Sequence, residues 1–536
     1  MATPTPPDPE GLAALVESAQ AVVDAALARL AADGGPDAHQ VRAYDLAHVA
    51  SAFAAARACL GYARRGDTEA ALVGVFLAHA LGELAGRVAG REGDWGVGAD
   101  WFAPFAGFVA AYRDPEAIAA VAETPGERHL GEDFELVART FRRFAEERVR
   151  PVAETVHRHN ADIPEAVIDG LNELGGFGLS VPEEFGGFAT GGESDYLGMV
   201  VATEELSRAS LGVGGSLITR PEIMTRALLA GGTPEQKAHW LPRLASAEVL
   251  CAIAVTEPDF GSDVAGITTT ATRTTGGWLL SGTKTWCTFA ARADVLVLLA
   301  RTDPDRAKAH RGLSLFLVDK PRGESSGFLF TQDAAAEGRA DPDGRLEGRP
   351  IDTLGYRGMH SYELSLDGWF VPDDRLIGGE AGLGRGFYFQ MAGFENGRIQ
   401  TAARAVGVMQ AAYEAALDYA RHRVVFGRRV AEYELTRVKL GLMAAIIQCS
   451  RQFALAVARQ MGEGEGGLEA SMAKAYVCRA AEWVTREAQQ IHGGMGYAEE
   501  YPVSRYFVDA RVLSIFEGAD ETLCLKVVAR RLLEGR

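Results

Sequence analysis

The short runs in this chain that suit β-strands all fall within one block, and that placement constrains the fold more than any other feature. Residues 250–255, 278–281, 295–300, 313–318 and 363–366 form these runs, separated by Gly, Asp and Pro. On both sides of the block, apolar residues recur at helical spacing. Residues 12–32, 41–65 and 69–88 read as Ala/Leu-rich helices, broken at Gly34-Gly35-Pro36 and Gly66-Asp67. A second helical stretch spans about 130–245, and the helical period returns over 387–533. The order is helices, helices, a β region, then helices. Alternating βαβ units are absent, which argues against a Rossmann sheet. The expected fold is mainly α with a central β domain. Its expected segments are 1–125 (an N-terminal helical extension), 126–249 (α-helical), 250–380 (β) and 381–536 (a C-terminal helical bundle). Residues 333–348 are polar and rich in Gly and Asp, and are expected to form a surface insertion.

Composition narrows the partners. The chain has 536 residues, 47% of them apolar, enough for a sizeable core. Its formal net charge of -18 disfavours a nucleic-acid or anionic-lipid surface as the main partner. Six cysteines are scattered without a CxxC pair, so neither a disulfide framework nor a thiolate zinc site is suggested. The N-terminus has no basic, apolar leader pattern. The apolar stretch 70–89 contains His79 and Glu83 and reads as a buried helix rather than a membrane span. A reduced, cytoplasmic setting is the simplest expectation.

Generic catalytic motifs are missing. Gly175-Gly176-Phe177-Gly178 follows a helix, and Gly382-Leu383-Gly384-Arg385-Gly386 lacks the dinucleotide spacing, so both read as turns. There is no HExxH. His157 and His159, two apart, point to different faces of a helix. No metal site is expected, and no Gly-x-Ser-x-Gly elbow occurs.

One ordered set of motifs is far more specific. Ala254-Val255-Thr256-Glu257-Pro258-Asp259-Phe260-Gly261-Ser262-Asp263 is followed by Ser281-Gly282-Thr283-Lys284-Thr285-Trp286-Cys287-Thr288. Then come Leu354-Gly355-Tyr356-Arg357-Gly358, Arg423-Val424-Val425-Phe426-Gly427, Gln490-Ile491-His492-Gly493-Gly494-Met495-Gly496 and Ile515-Phe516-Glu517-Gly518. In order and spacing these resemble the acyl-CoA dehydrogenase family, over roughly the last three-quarters of the chain. The resemblance implies an α domain, a β domain and a C-terminal four-helix bundle, assembled as homodimers or homotetramers. It implies bound FAD, with Thr256 and Thr288 as hydroxyl partners of the isoalloxazine, Val255 beside them and Trp286 against the ring. Arg423, Phe426, Gln490, Gly493 and Gly494 would hold the pyrophosphate and adenine. Ser262, Arg398 and Gly518 would meet the acyl-CoA. Taken singly, either threonine could merely bridge strands, Trp286 could be core, and Arg423 a helix-end cation. Phe289 and Ala519 depart from the residues common in the family at those places.

The implied reaction needs a base for the α-proton, an acceptor for the β-hydride, and stabilisation of charge on the thioester oxygen. Glu517 stands where the family carries its catalytic glutamate. Some relatives carry the base on the helix that here contains Phe394-Glu395-Asn396-Gly397-Arg398, but the matching position is Gly397, which cannot serve.

Within the family, Ser216-Leu217-Ile218-Thr219-Arg220-Pro221-Glu222-Ile223, the stretch from Gly397 to Gly407 and the close Ile515-Phe516-Glu517-Gly518-Ala519 resemble methylsuccinyl-CoA dehydrogenases, and the N-terminal helical module is not part of a minimal family member. That likeness implies conversion of (2S)-methylsuccinyl-CoA to mesaconyl-CoA, with electrons passed to an electron-transfer flavoprotein. The free carboxylate of such a substrate calls for a buried cation. Arg220 is the candidate, against the alternative that it forms an ion pair with Glu222 or Glu204. Another short branched-chain acyl-CoA dehydrogenase or an acyl-CoA oxidase would share these motifs. A non-catalytic, DNA-associated relative should be basic, which this chain is not.

Overall fold

Two helix starts in this chain are written into their capping residues. Asp8 accepts a hydrogen bond from the Gly11 N–H and Pro9 opens the helix Pro9–Ala32. Thr233 and Gln236 form a reciprocal capping box on Pro234–Ala245. The structure, a computed structural model, describes residues 5–535. It divides into two compact units whose segments interleave along the chain.

The first unit takes the chain up to Phe141, Val200–Ala209, and the chain from Arg398 onward. Its N-terminal helices are Pro9–Ala32, Gln40–Ala58, Leu60–Ala63 and Asp67–Val88. The helix expected over 41–65 is interrupted at Cys59, whose buried N–H is shared among carbonyls of the preceding turn. Pro9–Ala32, Asp67–Val88 and Glu434–Gly462 are long and apolar enough to cross a membrane by length and composition alone. In this unit they pack against neighbouring helices, and Asp67–Val88 buries most of its apolar residues, with His79 half-buried and Glu83 exposed.

The bundle is built from the Arg398 half of Gly386–His422 with Glu434–Gly462, Gly467–Ile491 and Pro502–Leu513. The N-terminal segment is stitched to it. Tyr413 donates to the Ala122 carbonyl, and the Gln448 amide to that of Glu127. Glu204 and Glu205, both buried, receive Arg128, and Glu204 also receives Arg451. At Gly407 a Cβ would lie 2.3 Å from the Glu204 carbonyl, so only glycine lets these two helices approach so closely. That close packing fixes the helix from which Thr401 and Arg404 project.

The second unit takes Arg142–Met199 and Ser210–Gly397 and contains the sheet. Its strands are β1 (Cys251–Ala254), β2 (Thr270–Thr274), β3 (Gly277–Thr288), β4 (Val295–Arg301), β5 (Leu313–Asp319), β6 (Phe328–Gln332), β7 (Gly344–Ile351) and β8 (Ser361–Pro372). The order is β1-β4-β2-β3-β8-β7-β6, with β5 on β4; β4 is parallel to β1 and β2, and the remaining pairs are antiparallel. Trp278, Leu280, Leu296, Leu298, Phe316, Leu364 and Leu366 form the core on one face. Val295, Val297, Leu299, Leu315 and Leu317 pack with helix residues Met224, Leu228, Trp240 and Leu241 on the other.

The strands missed from sequence are β2, β6 and β7. β2 reads Thr-Ala-Thr-Arg-Thr and buries only Ala271, so it carries little apolar signal. The insertion expected over 333–348 is corrected: 344–348 belong to β7, paired with β6 and β8. Neighbouring strands override the weak strand preference of Gly and Arg there.

Candidate active site

Two local devices shape the candidate flavin contacts of the second unit. The first is a register shift between β3 and β8 over Lys284 to Cys287. Trp286 sits in this bulge with φ at +57°, a strained value for an aromatic residue, and is 57% exposed. The alternative that Trp286 is a core residue does not hold, because the bulge turns it outward. The second device is a buried ion pair. Lys284 Nζ donates to Glu257 Oε1 at 2.9 Å and to the Val255 carbonyl at 3.0 Å. Glu257 also accepts from the backbone N–H groups of Thr268 and Thr269. Burial raises the Glu257 carboxyl, but Lys284 and these hydrogen bonds outweigh it and hold the pKa down to about 2.

The same clamp brings Thr256 beside β3, where its carbonyl accepts the Thr285 N–H at 2.8 Å. Thr288 lies two residues beyond Trp286, its hydroxyl 3.0 Å from that of Ser361. Ser262 lies exposed in the loop after β1. Two threonines near an outward indole are a residue set that suits a flavin ring.

Arg220 is the second residue of the helix Thr219–Gly231 and is buried. It donates to the Ser216 carbonyl at 2.9 Å and the Tyr356 hydroxyl at 3.1 Å. The ion pair with Glu222 considered for it is not present. Glu222 lies 3.9 Å from Arg226, and Glu204 is engaged by Arg128 and Arg451. A guanidinium at a helix N-terminus opposes the helix dipole, so this placement is not one that helix stability favours.

In the first unit the remaining residues form two groups. Arg423 and Phe426 stand on a hairpin of Val424–Val425 and Arg428–Arg429, with Phe426 95% exposed at φ +48°. Gln490, Gly493 and Gly494 follow one another at the end of Gly467–Ile491, all exposed. A ring stack joins the two elements: His492 lies on Tyr419 with centroids 4.3 Å apart, and the Tyr419 carbonyl accepts the Arg423 N–H. The open space around Gly493 and Gly494 leaves a backbone cradle that suits a nucleotide phosphate group.

The other group is the catalytic candidate. Glu517 and Gly518 both adopt positive φ, +53° and +102°, in the turn between Pro502–Leu513 and the helical segment from Asp520. A non-glycine residue held there is a strained position of the kind found at functional sites. The carboxylate is 13% exposed. Its Oε2 accepts from the Thr401 hydroxyl at 2.8 Å and its Oε1 from Arg404 Nη2 at 2.7 Å. Arg404 Nη2 also donates to Thr401 at 2.7 Å, and its guanidinium lies 4.9 Å over the Phe516 ring. Arg404 itself is 0% exposed. Lys474, buried and pushed down by that burial, donates to the Gly518 carbonyl. Arg398 donates to Ser471 at 3.2 Å.

Sequence reasoning missed Thr401, Arg404 and Lys474. The signal was there for Arg404: one charge in the small apolar run Ala402-Ala403-Arg404-Ala405-Val406-Gly407. It also missed a contact from the N-terminal segment to this turn. Tyr44 and His48 both reach Asp520 Oδ2, at 2.5 and 3.0 Å. His48, Asp520 and Cys524 thereby bring metal-ligating atoms within 4.8 Å of one another, a grouping the chain order conceals.

Family models match three consecutive stretches: acyl-CoA dehydrogenase N-terminal domain over 131–248, middle domain over 252–368, and C-terminal domain over 384–533. The chain belongs to the acyl-CoA dehydrogenase family. It is an FAD-dependent oxidoreductase with that family's α domain, β domain and helical bundle, preceded by a helical extension. A (2S)-methylsuccinyl-CoA dehydrogenase of Cereibacter sphaeroides is 44% identical over 427 residues, 80% of this chain and 73% of that protein. A glutaryl-CoA dehydrogenase of Mycobacterium smegmatis solved with FADH2 is 26% identical, with a TM-score of 0.66 over 78% of this chain and 98% of that one. A chain solved in work on the electron-transferring flavoprotein of Acidaminococcus fermentans is 29% identical, with a TM-score of 0.67 over 76% of this chain and all of that one.

Proposed function

We propose that this acyl-CoA dehydrogenase converts (2S)-methylsuccinyl-CoA to mesaconyl-CoA, with Glu517 as the base that removes the α-proton. The carrying observation is Glu517 itself, a carboxylate on a left-handed turn, gripped by Thr401 and by fully buried Arg404. Such a grip orients the carboxylate, which a base needs. Likeness to the Cereibacter sphaeroides enzyme supports the substrate. When bound, FAD supplies the acceptor for the β-hydride. Val255, Thr256, Trp286 and Thr288 would hold its ring, and Arg423, Phe426, Gln490, Gly493 and Gly494 its pyrophosphate and adenine. Ser262, Arg398 and Gly518 would contact the acyl-CoA. The domains would follow the four segments read in chain order, 1–125, 126–249, 250–380 and 381–536. An electron-transfer flavoprotein would take the electrons in the cytoplasm. The exposed Phe426, Tyr497 and Val424 support a homodimer or homotetramer that covers them.

The purified protein is expected to be yellow, with FAD released on denaturation. A colourless protein that takes up no FAD on reconstitution would overturn the reading. Turnover against a panel of CoA esters tests the substrate, and parallel assays with the flavoprotein acceptor and with oxygen separate a dehydrogenase from an oxidase.

Arg220 is the proposed anchor of the substrate carboxylate in the second unit. Both of its hydrogen-bond acceptors, the Ser216 carbonyl and the Tyr356 hydroxyl, are neutral, which suits a guanidinium that is to meet a carboxylate. Arg220→Met should cut kcat/KM for methylsuccinyl-CoA by on the order of a hundredfold, with a much smaller loss on 2-methylbutyryl-CoA. Equal losses on both esters would make Arg220 structural.

A further inference from the structure

The turn that carries Glu517 needs outside support. Glu517 and Gly518 adopt φ of +53° and +102°, and a glutamate is strained in that region, so the contacts around it must fix its conformation. Some of these contacts come from the bundle. The Asp520 N–H closes onto the Ser514 carbonyl at 3.1 Å, and Lys474 donates to the Gly518 carbonyl. The others come from the helical extension. Asp520, which opens the helical segment after the turn, is 13% exposed at its side chain. The Tyr44 hydroxyl donates to its Oδ2 at 2.5 Å and His48 Nε2 to the same oxygen at 3.0 Å.

The two donors are held for this acceptor. Tyr44 and His48 stand one turn apart on Gln40–Ala58, hence on one face, and their rings meet edge to face at 4.7 Å. His48 is buried, and Cys524, one turn beyond Asp520, lies with its Sγ 3.5 Å from His48 Nε2. Burial raises the Asp520 carboxyl, but His48 and Tyr44 outweigh it and hold the group below its ordinary range. A carboxylate only accepts, so His48 Nε2 carries a proton, and hydrogen bonds to an ionised acceptor are the strong kind. Both donors lie outside the three stretches matched by the family models.

We propose that Tyr44 and His48 are positioning residues for the reaction: through Asp520 they fix the turn that presents Glu517, so the helical extension serves catalysis as well as packing. This rests on the reading of Glu517 as the base. It does not depend on which acyl group is oxidised.

The test is the rate of flavin reduction in the holoenzyme, by anaerobic rapid mixing with methylsuccinyl-CoA and with 2-methylbutyryl-CoA, well below the melting temperature of each variant. Tyr44→Phe combined with His48→Leu should slow it by on the order of ten- to a hundredfold, equally on both esters, because a misplaced base loses reactive geometry. FAD content and KM should stay near wild type. His48→Gln places an amide N–H near the lost Nε2 and should recover part of the rate lost in His48→Leu. Asp37→Ala removes exposed contacts to Lys526 and Arg530 on the same terminal segment and should leave the rate unchanged. Tyr44→Phe alone removes one hydroxyl and keeps the ring, so it gives the answer if the double variant does not fold. A wild-type rate in Tyr44→Phe and in His48→Leu, a fall matched by Asp37→Ala, or no recovery in His48→Gln would make the contact purely structural. If Glu517→Gln reduces flavin at a near wild-type rate, the base reading itself fails, and that variant alone tells the two failures apart.

Discussion

Glu517→Gln is expected to lower kcat by on the order of 10³ to 10⁴, with FAD content unchanged and acyl-CoA still bound. Glutamine keeps the length and lets an amide oxygen accept from Arg404, but it cannot take the α-proton. The left-handed turn and the Gly518 that follows it are preserved, so the loss reports chemistry rather than position. The variant should also melt earlier than wild type, because Arg404 stays fully buried without its anion. Rapid mixing with substrate under anaerobic conditions is the direct measurement. Flavin bleaching at a near wild-type rate would place the base elsewhere, and Glu395, on the helix where some relatives carry theirs, is the residue to test next.

The parts of this candidate site that could be proposed from sequence were those carried by short contiguous motifs. Glu517-Gly518, Thr256, Trp286 and the Gln490 to Gly494 run could be named from order and spacing, because the chemistry ties them to fixed neighbours. Arg404 could not, since nothing next to it in the chain says that Glu517, more than a hundred residues later, will lie against it. The same holds for Tyr44 and His48, which reach Asp520 from the far end of the chain. For the fold, apolar period located the helical blocks and the strands β1, β3, β4, β5 and β8. It failed where burial is one-sided or slight, as in β2, and where Gly and Arg form a strand only because β6 and β8 flank it, as in β7. Trp286 could be named from its motif, but the device that sets its direction could not. An aromatic residue in a strand reads as core, and only the bulge between Lys284 and Cys287 turns it outward.

The second large effect is expected at the ion pair that holds this bulge. Lys284 is 0% exposed and the Glu257 side chain 2%, so each charge depends on the other. Burial works against the Lys284 ammonium, and Glu257 opposes that pull. Glu257→Gln leaves the ammonium buried with a neutral partner, and Lys284→Met leaves the carboxylate buried with only N–H and hydroxyl donors. Each should cost about 3–5 kcal/mol of stability. The double variant should cost less than the sum, because it leaves no unpaired charge. The pair also joins the Thr256 loop to β3 through Val255, so both single variants should release FAD at lower temperature than they unfold. Acid gives an independent check. The folded pKa of Glu257, about 2, lies below its ordinary 4.5, so its stabilisation is fully present above the ordinary value and is lost as pH falls toward the folded one. Wild type should therefore lose melting temperature across that window, and Glu257→Gln should lose less over the same range. Parallel decline in both proteins would show that other carboxylates govern acid unfolding. Retention of wild-type melting and flavin release by Lys284→Met would show that the bulge stands without the pair.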